Sequence, residues 1–143
     1  MDNLNSGVRT PWHLWVVGVF TLLWNSVGGF SYTMTRLGKL ADLGMGEAEI
    51  AFFASYSPVA NTFWALGVWG AIFASILLLL RSRFAVYSVV VAIIGLIGSN
   101  YFQATAESMP ESLQSAVLPI IIWSTTIFML FYALRMKREG VLR

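Results

Sequence analysis

Four stretches of this chain contain no Asp, Glu, Lys or Arg: residues 10–35, 50–80, 84–106 and 112–134. Each exceeds the about 20 residues that a helix needs to cross a ~30 Å hydrocarbon core. Inside hydrocarbon every backbone N–H and C=O must find a partner within the protein, so only helices and closed barrels can cross. Barrel strands alternate polar and apolar side chains over ~10 residues. "ASILLLL" and "VYSVVVAIIGLIG" do not alternate. Only 11% of the residues are charged and 57% are hydrophobic, against ~25% charged in a soluble domain. The expected fold is therefore all-α. One integral membrane domain covers residues 1–143, with four transmembrane helices at about 12–33, 58–80, 84–102 and 109–136.

Local signals set these boundaries. Thr10 can cap the first helix and Pro11 suits its first position, where a missing donor costs nothing. Ser57-Pro58 opens the second helix in the same way, and "RSR" makes a tight turn before the third. Ser108 to Glu111 fits the capping box S-x-x-E, so the fourth helix is expected to begin near Met109. That gives it ~42 Å of length at 1.5 Å per residue, more than the core needs. Pro119 would then lie in the helix interior and kink it. In the connection 34–57, Glu47 and Glu49 suit a helix N-terminus. Ile50, Phe52, Phe53 and Tyr56 follow them, so either a short interfacial helix or an irregular loop that tucks those rings into lipid is expected there. The first apolar run also has the look of a signal peptide, with Arg9 before Leu14–Trp24. No small-residue cleavage site follows it, and a retained helix is expected.

Orientation follows from where Lys and Arg fall. Arg9, Arg81, Arg83, Arg135, Lys137, Arg138 and Arg143 share one side, against Arg36 and Lys39 on the other. Both termini are therefore expected in the cytoplasm, with the 1–2 and 3–4 connections outside. The basic C-terminal "RMKREGVLR" is expected to touch anionic lipid.

This topology places the amides of Asn25, Asn61, Asn100 and Gln103 in the outer half of the membrane, above an inner half of Leu, Ile, Val and Phe. Small or polar residues recur every three or four positions: Gly18, Thr21, Asn25, Gly28 and Tyr32; Gly67, Ala71 and Ser75; Ser88, Ala92, Gly95, Ser99 and Gln103. Such ridges let helix backbones approach closely and should face the bundle interior. Two readings of the amides follow. Asn25, Asn61 and Asn100 could hydrogen-bond one another as helix glue. Alternatively Asn25, Tyr32, Asn61, Trp64, Asn100, Gln103 and Trp123 could line an outward-facing cavity. That mixture of donors, acceptors and rings suits a neutral polar ligand such as a small sugar or polyol.

Other chemistry finds no support. No ionisable residue lies in a membrane core, which argues against ion- or proton-coupled transport. The chain has no cysteine and one histidine, His13, which reads as an interfacial anchor. No metal, haem or other cofactor is expected. No serine has a base beside it for nucleophilic catalysis, and nothing points to nucleic acid. The expectation is a non-enzyme.

The stretches "PWHLWVVGVFTLLWNSVGG", "SYTMTRLG", "AFFASYSPVANTFWALGVWGA", "LLLLRSRFAVYSVV" and "LRMKREGVLR" cover nearly the whole chain. In them the protein resembles a group of short bacterial four-helix membrane proteins that often carry the label "sugar transporter". The resemblance implies a multi-pass protein of the bacterial inner membrane and brings no catalytic residues. Relatives of that kind often have Asp where this chain has Ser31, so a carboxylate role at that position is not carried over. The sequence thus leaves two functions. The first is a sugar- or polyol-type transporter or its binding component. The second is an accessory or structural subunit that packs against another membrane protein and binds no solute. Four helices enclose little volume, so transport would call for a homo-oligomer.

Overall fold

A computed structural model describes residues 7–143. They form five α-helices: α1 Trp12–Arg36, α2 Glu47–Ala54, α3 Pro58–Leu79, α4 Phe84–Ala104 and α5 Val117–Arg138, with short 3-10 turns at Leu40–Leu43 and Glu111–Leu113. No strand occurs among the described residues. The four long helices are long and apolar enough to span a membrane. One end of the bundle carries α2 and the α4–α5 loop. The other carries the Arg81–Arg83 turn and the end of α5, and is called here the arginine end.

The caps are partly those expected. Ser57 accepts a hydrogen bond from Ala60 N at 3.1 Å, with Pro58 as the first residue of α3. α1 opens at Trp12, but Pro11 is extended, at φ −67° and ψ 142°, and stands before the helix in the cap position, with no side chain, Thr10 included, capping it. α1 also continues to Arg36 rather than ending near Thr33. Thr33 and Thr35 donate to the carbonyls of Gly29 and Ser31, both at 2.8 Å, which satisfies their hydroxyls inside the helix.

α5 corrects the expected boundary. It begins at Val117, not Met109. Pro110 is extended, at φ −56° and ψ 143°, so the capping box cannot open a helix. The segment is tied to α2 instead: the Ser112 hydroxyl donates to Glu49. A helix of 22 residues runs ~33 Å, close to a membrane core, and the excess length disappears. Pro119 now sits in the first turn, where its N–H would have had no partner, so it forces no kink.

Close backbone contact holds the bundle together. A Cβ on Gly70 would lie 2.9 Å from Ala92 N, and one on Gly95 would fall on the Gly67 backbone. α3 and α4 therefore meet through glycine, as the small-residue ridges imply. α1 packs on α3 differently, side chain onto glycine, with Leu79 filling the space beside Gly18 and Ile72 that beside Gly29. At the arginine end Leu14, Leu78, Val89, Met129 and Met136 form a solid core. α5 joins it only through its C-terminal half, where Thr126, Met129, Ala133 and Met136 are buried. Val117, Leu118 and Ile120 at its start are exposed.

The basic tail does not lie free. Gly140 takes φ +73°, and Val141 N donates to Met136 O at 2.9 Å, a glycine-terminated helix end. Val141 and Leu142 are buried in the core. Arg143 N donates to Arg81 O at 2.8 Å and Arg83 N to Arg143 O at 3.0 Å. The tail thus clasps the α3–α4 turn, whose Arg81 holds a left-handed φ of 56°.

Candidate functional site

The expected amide cluster is divided. Asn25 on α1 turns its Nδ2 toward Ser75 Oγ (3.1 Å) and Ala71 O (3.3 Å) of α3, and toward Met129 Sδ (3.5 Å) of α5. It joins three helices, and its partners are a hydroxyl, a carbonyl and a thioether rather than other amides. Ser75 and Ala71 lie one and two turns from the C-terminal end of α3. Asn25 therefore sits toward the arginine end, not in the α2-side half where the sequence placed it. The cause is the offset of α1: Gly18 already meets Leu79, so the first turns of α1 extend past the end of α3.

The other amides lie near the α2 end, as expected, but do not bond one another. Asn61 Nδ2 donates to Tyr56 O and Ser57 O, each at 3.2 Å, and pins the α2–α3 connection. Gln103 approaches the Tyr56 hydroxyl, which is buried and lacks a partner in full hydrogen-bond geometry. Burial raises the Tyr56 phenol above its ordinary value, with the Gln103 side chain pulling the other way. Asn100 is half-buried on α4, and no described hydrogen bond joins it to Asn25 or Asn61.

The aromatic expectations divide likewise. Trp64 is the centre of a ring cluster: Tyr32 lies edge-on at 5.0 Å, Phe53 stacks at 5.4 Å and Tyr56 lies at 5.7 Å. Such contacts add to the area they bury, and they lash α2 to α1 and α3. Trp123 is half-buried on α5 and takes part in none of the described ring pairs.

Two features escaped the sequence reading. His13 Nδ1 lies 2.5 Å from the Tyr132 hydroxyl, so the lone histidine binds α1 to α5. A spacing of 119 residues left no local signal for it. The second is a groove of about 770 Å³ along α3. At the α2 end its walls are Tyr32, Arg36, Tyr56, Asn61 and Thr62; farther down they are Leu66, Trp69, Phe73 and Val91. It collects two of the seven expected site residues, Tyr32 and Asn61. Asn25, Trp64, Asn100, Gln103 and Trp123 lie outside its walls. Aromatic pairing at 6.4 Å holds Tyr32 against Trp69. Ser88 donates to Gly70 O at 2.8 Å and Thr62 to Pro58 O at 2.8 Å, so the aliphatic hydroxyls along the groove already donate within the protein, while the Tyr56 hydroxyl has no partner.

No family model, no curated protein and no solved structure matches this chain.

Proposed function

We propose that this is a non-enzymatic, multi-pass protein of a bacterial inner membrane that serves as a ligand-binding component, and that its binding surface is the groove on α3 rather than a central cavity. The reading rests on one observation: Tyr32 and Asn61 share that groove with Tyr56 and Thr62 near its α2 end. Asn61 uses its N–H groups internally, which leaves its carbonyl oxygen as an acceptor for a hydroxyl-rich group of the sugar or polyol kind. The excess of Lys and Arg at the arginine end supports a cytoplasmic location for both termini, with α2 at the periplasmic face. The filled core at the arginine end supports a role as one component, or as one copy in a homo-oligomer, rather than as a self-sufficient carrier. The resemblance to small four-helix proteins labelled as sugar transporters points the same way.

A second reading, an accessory subunit that packs against another membrane protein and binds no solute, is favoured by Asn25. That amide is spent on three helices and lies outside the groove. One thermal-shift screen of purified protein against neutral sugars and polyols separates the two, because a ligand specific for the folded state raises apparent stability. Stabilisation that disappears in Asn61→Leu, with Asn25→Leu still responding, supports the first reading. No response to any of them, with the protein co-purifying in a defined membrane complex, supports the second. A reporter fused after Arg143 should be active only in the cytoplasm; periplasmic activity overturns the orientation.

A further inference from the structure

We propose that the α3 groove holds an anionic phospholipid with a hydroxyl-bearing headgroup, its phosphate on Arg36, its headgroup at Asn61 and Tyr32, and an acyl chain lying along α3 toward Phe73. This rests on the binding reading above and gives its ligand a chemical class.

Three observations carry it. First, the groove is graded. From Pro58 to Phe73 it follows fifteen residues of α3, or ~22 Å. Apart from Ser88, its polar and charged side chains lie at the α2 end, and Leu66, Trp69, Phe73 and Val91 line it farther down. A free sugar or polyol would leave the lower part unfilled, whereas a lipid matches both parts in order. Second, the lower part offers little to a polar ligand. The one hydroxyl there, Ser88, donates to Gly70 O, and around it stand Leu66, Trp69, Phe73 and Val91, a surface that hydrocarbon covers with little loss. Third, the charge is complementary. Arg36 closes α1 at the groove mouth, and it is exposed. Among the described residues the one ion pair is Arg135–Glu139, at the opposite end of the bundle. A guanidinium with no carboxylate partner, held at headgroup level by a spanning helix, is a ready phosphate ligand through paired N–H donors.

The test uses the full chain, purified in a neutral detergent, with phosphatidylglycerol, phosphatidylcholine, glycerol phosphate and glycerol as separate probes. Binding is read by native mass spectrometry and melting temperature. The expected result is a preference for phosphatidylglycerol over phosphatidylcholine of about fivefold, equivalent to the ~1 kcal/mol that one basic residue contributes toward anionic lipid. The preference should vanish in Arg36→Gln, survive in Arg36→Lys and be unchanged in Arg138→Gln, which removes a cation from the other end. Ala65→Phe, which fills the groove, should weaken both lipids while leaving the lipid-free melting temperature within a few degrees. Equal binding of the two lipids, or a preference that persists in Arg36→Gln, overturns the inference. So does glycerol phosphate binding as tightly as the intact lipid, since the acyl chain would then be idle. If glycerol stabilises the protein through Asn61 while the two lipids bind equally, the lipid inference fails and the polyol reading stands. If neither glycerol nor any lipid binds, both fail.

Discussion

Replacing Asn25 by leucine tests whether this amide is structural. Its Nδ2 has two hydrogens and three acceptors, at 3.1, 3.3 and 3.5 Å, so at least one hydrogen is shared. The Ser75 contact lies within the ordinary ~2.7–3.2 Å range for N–H···O and the Ala71 contact just beyond it, while the thioether is an intrinsically weak acceptor. Measured bonds between membrane helices average ~0.6 kcal/mol and reach ~1.7. Two hydrogens' worth of such bonds comes to about 1.2 kcal/mol. The acceptors left behind add little. Ser75 Oγ still donates to Ala71 O at 3.1 Å, and the Met129 thioether is a weak acceptor that tolerates hydrocarbon. Leucine also restores dispersion contacts of similar volume. Asn25→Leu should therefore cost about 1 kcal/mol and leave the fold intact. Equilibrium unfolding in mixed micelles of increasing SDS fraction measures this. A double-mutant cycle with Ser75→Ala should return a coupling near 0.6 kcal/mol for the shared bond. A loss above about 3 kcal/mol would mean that the amide satisfies a buried group that these contacts do not include. No loss and no coupling would mean that the three-helix junction carries no energy. Either outcome refutes the reasoning.

Three further outcomes follow from the packing. Gly95→Leu should destabilise by about 3 kcal/mol or more, because its Cβ has only the Gly67 backbone to occupy and overpacking of this kind forces helices apart. Gly28→Ala, whose Cβ would meet Val68 at 3.9 Å, should be near neutral in the same unfolding assay. Leu142→Ala should cost about 2–3 kcal/mol as a buried large-to-small change, and should loosen hydrogen exchange at Arg83 N, which bonds the tail; unaltered protection there would refute the clasp. Ser112 donates to Glu49 and holds its carboxyl below the ordinary value. A depressed folded value means that the contact stabilises above the ordinary carboxylate value and is lost as pH falls through the lower, folded one. Exchange at the Glu111–Leu113 turn should therefore quicken on acidification, and Glu49→Gln should abolish that dependence.

The four long helices were legible because a helix able to cross hydrocarbon must be free of charge along its length, so charge-free apolar length alone finds them. The ridges Gly67–Ala71–Ser75 and Ala92–Gly95–Ser99 were legible because a period near 3.6 puts them on one face. The start of α5 was misread because S-x-x-E reports only local preference; Pro110 and the Ser112–Glu49 bond decided the backbone there. The depth of Asn25 was misjudged because helix lengths do not fix how far one helix slides along another, and the meeting of Gly18 with Leu79 set that offset. Asn100 and Trp123 lie on the helices expected for them, but no periodicity says which neighbour a side chain meets. The folded-back tail had a signal, Gly140 followed by Val141 and Leu142, which the run of basic residues before it obscured.

The contrast between a filled arginine end and an open α2 end makes α5 a lever. Its fulcrum is the packed stretch around Ala133, and Val117 lies sixteen residues, or ~24 Å, away from it. A tilt of about 5° at that fulcrum carries the tip through roughly 2 Å over this length. Small adjustments of side chains in one half would thus become ångström-scale displacements of the opposite rim.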